Sequence, residues 1–235
     1  MQSSAPAIEV RALTKSFTLH LQGRVRLAVL DGIDLTVRAG ECVVLDGPSG
    51  AGKSTLMRTL YGNYRAEGGS ILVRHGGDLV DLAAAPPRLM LAVRRRTLGY
   101  VSQFLHVIPR VPTLAIVAEP MRTIGMAASE AGDRAAVLLE RLGLPKRLWS
   151  LPPATFSGGE QQRVNIARGL AARHPILLVD EPTASLDAEN GERVAVLLRE
   201  ALADGVAMIG IFHDAATRAA LATRLFRLPS RELAA

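Results

Sequence analysis

The sequence is poor in cysteine and in aromatic residues. It has one cysteine, Cys42, and Phe, Trp and Tyr together make up 4% of its 235 residues. A single cysteine excludes an internal disulfide framework. Because Cys42 begins an apolar run, we expect it to pack in a core and not to react. The scarcity of aromatic side chains among the basic residues argues against a base-stacking surface for nucleic acid.

Long apolar runs are also absent. None approaches the roughly 18 residues that a membrane span needs, and residues 206–212 form one of the longest. The first ten residues, MQSSAPAIEV, contain neither a basic segment nor an apolar one, so we expect no secretory signal. With 49% hydrophobic and 21% charged residues, the composition is that of a globular protein. These features predict a cytoplasmic protein without direct membrane insertion.

Positive charge is in moderate excess. The chain has 28 basic and 22 acidic residues, a net charge of +6, and its clearest basic run is Arg94-Arg95-Arg96. Such a run could favour nucleic acid, acidic lipid headgroups or an acidic protein partner. A solvated helix face explains it equally simply, and we favour that interpretation. We expect no nucleic-acid partner.

Residues 47–55, GPSGAGKST, fit the phosphate-binding loop pattern. The glycines let the backbone curl until successive N–H groups point at one anion, and side chains at those positions would obstruct that approach. Lys53 would reach the β- and γ-phosphates, and the Ser54 hydroxyl would ligate Mg²⁺. An ordinary Gly/Ser turn is the alternative, but an apolar run before the loop and a helix start after it favour nucleotide binding. The residues assigned to the nucleotide here are Gly47, Pro48, Ser49, Gly50, Ala51, Gly52, Lys53, Ser54 and Thr55.

A second apolar run ends in two carboxylates, Asp180 and Glu181. In phosphate-loop enzymes, a carboxylate at the C-terminal end of a strand holds Mg²⁺, and ligands gather at that edge of parallel sheets. Adjacent strand residues point to opposite faces, so the two should have different roles. We expect Asp180 to orient the metal and Glu181 to accept a proton from an attacking water. A plain strand followed by an acidic turn is the alternative, which the phosphate loop disfavours.

Residues 157–163, SGGEQQR, directly precede an apolar-periodic segment. A serine before two glycines and a helix start is another anion-binding arrangement. It is also the pattern of a plain helix cap. The residues by themselves do not explain why one chain would carry two anion sites.

Strand-like and helix-like patterns alternate along the chain, and the spacing of the apolar residues changes after Phe104. Period-two alternation predicts strands on both sides of the phosphate loop, including a hairpin around His75-Gly76-Gly77. From residue 104 to about residue 169 helical spacing and six prolines replace it. We therefore predict one α/β domain over residues 1–235, with a mostly helical insertion at 104–169.

Taken together, these segments resemble the ATP-binding-cassette (ABC) ATPase family. SGGEQ is similar to its signature motif, VDEPTASLD to its Walker B motif and D-loop, VSQ at 101–103 to its Q-loop, and IFHD at 211–214 to its switch-histidine segment. The resemblance covers nearly the whole chain. It implies the ABC-type nucleotide-binding domain of the P-loop NTPase fold, with an antiparallel β subdomain and an inserted helical subdomain. It also implies Mg²⁺-dependent ATP hydrolysis by a dimer, with each ATP between the phosphate loop of one subunit and residues 157–159 of the other.

The resemblance also assigns roles to single residues. Gln103 would contact Mg²⁺ and the water and couple to the helical insertion, and His213 would hold the γ-phosphate. Asp187 would bridge the dimer interface. Phe17 would stack on adenine, with core packing as the alternative. The implied catalytic residues are Lys53, Gln103, Glu181 and His213; the implied metal ligands are Ser54, Gln103 and Asp180; and Phe17, Ser157, Gly158, Gly159 and Asp187 join the loop residues around ATP.

Between the motifs, and most clearly at residues 100–110, the chain is similar to PhnL, the L-subunit branch of the bacterial carbon–phosphorus lyase system. That likeness implies as partners the lyase core subunits and a second ABC subunit, either another copy or a companion subunit. One alternative is the ATPase subunit of a lipoprotein-release or macrolide-export transporter, which shares EQQRV and would dock on a membrane partner beside Gln103. Another is a nucleotide-gated clamp that seldom turns over, against which the intact Glu181 and His213 argue.

Overall fold

Strands and helices alternate through most of the protein. The computed structural model describes residues 5–19, 25–103, 105 and 109–228, and within these it has nine strands and seven α-helices. The strands are β1 (Ile8–Leu19), β2 (Val25–Val37), β3 (Cys42–Asp46), β4 (Gly68–His75), β5 (Asp78–Asp81), β6 (Leu98–Val101), β7 (Ile176–Asp180), β8 (Ala207–Ile211) and β9 (Arg224–Arg227). The α-helices are α1 (Lys53–Leu60), α2 (Pro87–Arg96), α3 (Thr113–Thr123), α4 (Ala128–Arg141), α5 (Gly158–Ala171), α6 (Ala188–Ala203) and α7 (Ala215–Leu221). Short 3-10 helices lie at Lys146–Leu148 and Pro153–Thr155.

One sheet is antiparallel, with the strand order β2-β1-β4-β5. Strand β1 pairs with both β2 and β4, so Ile8 lies opposite Val37 on one side and Val73 on the other. All three side chains are buried and line one face of the sheet. Strands β4 and β5 form the hairpin predicted from sequence, and Gly76 and Gly77 supply the positive φ angles of its turn.

The second sheet is parallel, with the strand order β6-β7-β8-β3-β9. Every residue of β7 and β8 is buried, as expected for central strands covered on both faces. Because the C-terminal ends of parallel strands meet at one edge, the sheet brings together the chain after Asp46, Asp180 and Ile211. That edge carries the phosphate loop, the two carboxylates and His213.

Two apolar cores cover the two faces of the parallel sheet. Alternate residues of β3 divide between them: Cys42 and Val44 pack with α3 to α6, and Val43 and Leu45 pack with α1 and the antiparallel sheet. Burial, with a smaller contribution from Glu41, raises the pKa of the Cys42 thiol to about 12. The thiol therefore stays protonated and packs in the core, as predicted.

The chain between β6 and β7 is helical in the described residues. Helices α3, α4 and α5 pack on one another around buried residues such as Val117, Met121 and Leu139. Phe104, where we predicted that the helical insertion begins, lies outside the described residues. None of the helices in the described part of the chain combines the length and the apolar character that crossing a membrane requires.

Candidate nucleotide-binding and hydrolysis site

The phosphate loop connects β3 to α1, and glycines shape it. Gly47, Gly50 and Gly52 have φ angles of 141°, 82° and 94°, which favour glycine. A Cβ atom on Gly52 would lie 3.0 Å from Val29 Cγ1 and 3.1 Å from the Val29 carbonyl oxygen. At Gly50 such an atom would meet nothing within 4 Å. Glycine at position 50 is therefore required by the backbone conformation and not by crowding from the protein.

Positive charge and N–H groups converge on this loop. The Lys53 ammonium lies across it, donating to the carbonyl oxygens of Gly47 at 2.6 Å and Pro48 at 2.9 Å. Helix α1 begins at Lys53, so its first N–H groups point back toward the loop. No acidic side chain occupies its first turn, and Ser54 is exposed there. The arrangement suits a phosphate group.

Asp180, the last residue of β7, is buried at the sheet edge and only 4% exposed. The Tyr100 hydroxyl donates to its Oδ2 atom at 3.1 Å. Burial raises the pKa of Asp180, and the hydrogen bond from Tyr100 opposes that rise. A carboxylate that burial makes costly to ionise is stabilised by a nearby cation.

The oxygen donors at this edge fit Mg²⁺. Asp180 offers a carboxylate, Ser54 a hydroxyl and Gln103 an amide oxygen, and Mg²⁺ prefers oxygen ligands. In the described residues no group of three or more His, Cys, Asp or Glu side chains could hold a metal ion by itself. In phosphate-transfer enzymes Mg²⁺ is usually held by one or two carboxylates together with the phosphates of the substrate.

Glu181 lies at the centre of a hydrogen-bonded cluster. Its Oε1 atom is 2.7 Å from His213 Nε2, and its Oε2 atom accepts from Gln103 Nε2 at 3.0 Å. Glu181 has a φ angle of 50°, a conformation that is uncommon for residues other than glycine and concentrates at functional sites. Its N–H donates to the Ile211 carbonyl oxygen at 3.0 Å, which fixes this turn against the end of β8. The structure therefore brings three of the four predicted catalytic residues into contact.

Ser157 is the N-cap residue of α5 and forms a capping box with Glu160. The Ser157 hydroxyl donates to Glu160 Oε2 at 2.7 Å, and the Ser157 N–H donates to the same oxygen at 2.9 Å. These bonds lower the pKa of Glu160, the side-chain hydrogen bond most of all. Gly159 lies close to the D-loop, since a Cβ atom there would be 3.0 Å from the Ser185 carbonyl oxygen. The plain helix cap considered from sequence is present, and anion binding by Gly158 and its neighbours stays a prediction.

The helix that carries the capping box and the strand that leads into the phosphate loop lie at different positions along the parallel sheet. Helix α5 packs on β6, whereas the phosphate loop follows β3, three strands away in the sheet order. At the usual strand spacing those two strands are about 14 Å apart.

Asp187 and Phe17 contact residues other than those of the Glu181 cluster. Asp187 is the exposed N-cap residue of α6 and accepts from the Asn190 N–H at 2.8 Å. Phe17 is half-buried on β1, with its ring edge-on to Tyr64 at 5.2 Å and Lys15 Nζ 5.1 Å from its centroid. These contacts explain Phe17 as a packing residue, and its stacking on adenine stays a prediction.

Sequence reasoning missed two residues that fasten α5 to the site. Asn165 Nδ2 donates to the Ser102 carbonyl oxygen at 2.6 Å, and Gln162 Nε2 donates to the Pro182 carbonyl oxygen at 3.2 Å. Both side chains are buried. Their bonds hold the residue before Gln103 and the residue after Glu181. The available signal was two polar side chains three residues apart on an otherwise apolar helix face.

The fold and this site define a phosphate-loop nucleoside triphosphatase. The sequence model of the family described as "ABC transporter" matches residues 30–184, which is more than half of the chain. The chain therefore belongs to the ABC transporter family, as the sequence motifs predicted. It is an ATPase of that family, with ATP as its nucleotide and Mg²⁺ as its metal ion.

Individual relatives and solved structures agree with this assignment. The lipoprotein-releasing system ATP-binding protein LolD of Hyphomonas neptunium is 40% identical over 189 residues, covering 80% of this chain and 81% of that protein. The macrolide export ATP-binding/permease protein MacB of Sodalis glossinidius is 37% identical, covering 91% of this chain but 31% of that protein. The ADP- and phosphate-bound dimeric structure of the ATP-binding cassette MJ0796 superposes with a TM-score of 0.84 at 28% identity, covering 94% of both chains.

The predicted likeness to the PhnL branch is not supported. LolD and MacB are lipoprotein-releasing and macrolide-export proteins, the class that the motifs left open as an alternative. Four residues of the stretch 100–110 that carried the PhnL interpretation, 104 and 106–108, lie outside the described residues. The part that contains Gln103 is a motif shared across the family, so it does not distinguish one branch from another.

Proposed function

We propose that this chain is the ATP-hydrolysing subunit of a lipoprotein-releasing or macrolide-export type of ABC transporter, and that two copies work as a dimer. The observation that carries the proposal is the cluster of Glu181, Gln103 and His213 at the sheet edge that also holds the phosphate loop. The likeness to LolD and MacB favours transport over the carbon–phosphorus lyase system. The cytoplasmic location expected from sequence stays a prediction.

In this proposal the chain's own residues position the reactants. The phosphate-loop N–H groups and Lys53 hold the phosphates of ATP, and Asp180, Ser54 and Gln103 hold Mg²⁺, which supplies charge neutralisation. Glu181 takes a proton from a water molecule as that water attacks the γ-phosphorus. The bond between that phosphorus and the bridging oxygen breaks, and ADP and phosphate leave. His213 stabilises the charge on the γ-phosphate, so catalysis is positioning plus electrostatics.

A dimer accounts for the second anion-binding arrangement. Residues 157–159 cap a helix on β6, three strands away from the strand that leads into the phosphate loop. In a two-fold dimer the capping residues of each copy would face the nucleotide held by the other, which makes two equivalent sites. The dimeric MJ0796 structures, which share this fold, support that arrangement.

A groove beside Gln103 is the proposed docking surface for the permease. It has a volume of about 550 Å³ and lies between α2, β6, α3 and α5, with Ser102 in its lining. Arg94, Arg95 and Arg168 outnumber the one acidic lining residue, Glu119, and Leu91 is 52% exposed at its rim. This chemistry fits an acidic permease segment with an apolar anchor.

The proposal is tested by co-expressing the chain with a lipoprotein-release or macrolide-export type of permease from the same organism and reconstituting the complex into vesicles. We expect the permease to stimulate ATP hydrolysis, and Arg95→Glu to reduce that stimulation by reversing a charge in the groove. Arg74→Glu, an exposed charge reversal on β4, is the matched control and should leave it unchanged. Co-purification with carbon–phosphorus lyase subunits and no permease would overturn the transport assignment.

A further inference from the structure

Tyr100 and Asp180 are joined across two neighbouring strands. Tyr100 on β6 lies opposite Leu178 on β7, two residues before Asp180, so Tyr100 and Asp180 share one face of the sheet. A tyrosine ring is long enough to span this diagonal. Its hydroxyl donates to Asp180 Oδ2 at 3.1 Å.

This bond restrains a carboxylate that has little contact with solvent. Asp180 is 4% exposed, so bulk water does little to orient its oxygens. One oxygen is held by the Tyr100 hydroxyl, and this fixes the direction of the other. Partners that orient a metal-binding group in this way set both the affinity for the metal and the geometry of the site.

The Tyr100 ring is itself held in place by packing. The Tyr61 ring lies against it, with centroids 5.0 Å apart and planes inclined at 35°. Tyr61 immediately follows α1, and the Arg94 guanidinium lies 4.4 Å from the Tyr61 centroid and donates to the Tyr61 carbonyl oxygen at 2.9 Å. The ring pair therefore ties the helix after the phosphate loop to β6.

We propose that Tyr100 is a positioning residue for the metal site: its hydroxyl holds the Asp180 carboxylate in the orientation that binds Mg²⁺ with ATP. The inference rests on the proposed role of Asp180 as a metal ligand. Tyr100 touches neither nucleotide nor metal and acts through Asp180. The Tyr61 ring contributes by fixing the Tyr100 ring.

The test is an equilibrium titration with a fluorescent ATP analogue in the Glu181→Gln background, where hydrolysis does not interfere. Affinity is measured with Mg²⁺ and with EDTA at protein concentrations low enough that the chain stays monomeric in both, so the ratio is the gain due to the metal and not to dimerisation. We expect Tyr100→Phe, which removes only the hydroxyl, to lower that gain about tenfold, as loss of an outer partner of a metal ligand usually does. The affinity in EDTA and the thermal unfolding midpoint should stay unchanged. Tyr61→Phe keeps the supporting ring and should preserve the gain.

The outcomes distinguish a failure of the Tyr100 assignment from a failure of the Asp180 assignment on which it rests. If Asp180→Asn loses the gain from Mg²⁺ but Tyr100→Phe keeps it, the role of Tyr100 is wrong and that of Asp180 stands. If Asp180→Asn also keeps the gain, the assignment of Asp180 to the metal has failed. If Tyr100→Phe lowers affinity equally with Mg²⁺ and with EDTA, the hydroxyl is structural only and the inference is overturned.

Discussion

The Nε2 atom of His213 lies 2.7 Å from Oε1 of Glu181, although the two residues are 32 positions apart in sequence. The sheet produces this contact, because β7 and β8 are parallel neighbours with Asp180 opposite Ile211. Each residue follows the end of its strand, so the two side chains emerge at the same edge. A histidine that contacts the γ-phosphate would therefore also contact the group proposed to activate water.

The first prediction concerns Glu181→Gln. Gln cannot accept the proton of the attacking water, and a general base contributes at least about 100-fold to a rate. We expect turnover to fall by at least about that factor, with ATP affinity retained because the phosphate loop is untouched. The measurement is steady-state phosphate release together with nucleotide titration.

Glu140→Gln is the matched control for this substitution. Glu140 is exposed on α4 and paired with Lys146 at 3.5 Å, so its loss should not alter turnover. Hydrolysis by Glu181→Gln at the parental rate would refute the general-base role. A parental protein that binds ATP tightly but scarcely hydrolyses it would favour a nucleotide-gated clamp.

The second prediction concerns His213→Ala. Losing a donor at the γ-phosphate should lower kcat by about 100-fold while changing KM much less, because the interaction strengthens as charge develops. His75→Gln is a control, since the His75 Nδ1 atom pairs with the Thr97 hydroxyl at 2.7 Å on another surface. A rise in KM with kcat unchanged would mean that His213 binds the ground state and the transition state equally and does not assist the chemical step.

The third prediction separates the two roles of Ser157. Ser157→Ala removes an N-cap, which costs about 1 kcal/mol of folding free energy. If the hydroxyl also binds the partner's nucleotide, turnover should fall about tenfold or more in a variant that is still folded at the assay temperature. Glu160→Gln weakens the same capping box but keeps the hydroxyl. If Ser157→Ala and Glu160→Gln hydrolyse ATP at equal rates, the helix cap alone explains the effect of Ser157 on turnover.

The fourth prediction is a pH dependence of stability that involves Glu67. Hydrogen bonds from Ser16 and then from Arg26 lower the pKa of Glu67 to about 2 from its ordinary 4.5. A carboxyl with a lowered folded-state pKa stabilises the fold above its unfolded pKa, and the contribution is lost as the pH falls toward 2. Glu67→Gln should therefore lower the thermal midpoint at pH 7 and have progressively less effect below pH 4.5. An effect that grows on acidification would contradict this assignment.

Much of the parallel sheet was predictable from sequence, but the antiparallel sheet was predicted less completely. The run Leu98–Val101 is short and apolar and comes soon after a helix, which is typical of a buried strand, and it forms β6. In the sequence, apolar residues at Ile8, Val10 and Leu13 mark only the first half of β1, which continues to Leu19. Register shifts between Val10 and Leu13 and beyond interrupt the period of two on which that prediction depended.

Site residues that belong to a known motif could be predicted from sequence. Residues that only the fold brings into contact were missed. The contact of Tyr100 with Asp180 depends on the register of β6 against β7, which local sequence does not specify. The environment of the basic run Arg94-Arg95-Arg96 was also only partly predictable from sequence. Arg95 and Arg96 are exposed, as expected for a solvated helix face, but Arg94 is half-buried against Tyr61.

The central claim is that the phosphate loop is half of a site completed by a second copy. The most direct test is the molar mass of Glu181→Gln, measured by light scattering with and without Mg²⁺ and ATP. The chain has a mass of 25.0 kDa, and two copies held together by two nucleotides would have about twice that. We predict the doubled mass with Mg²⁺ and ATP and the single mass without them. A protein that binds ATP under these conditions and stays at 25.0 kDa would contradict the account.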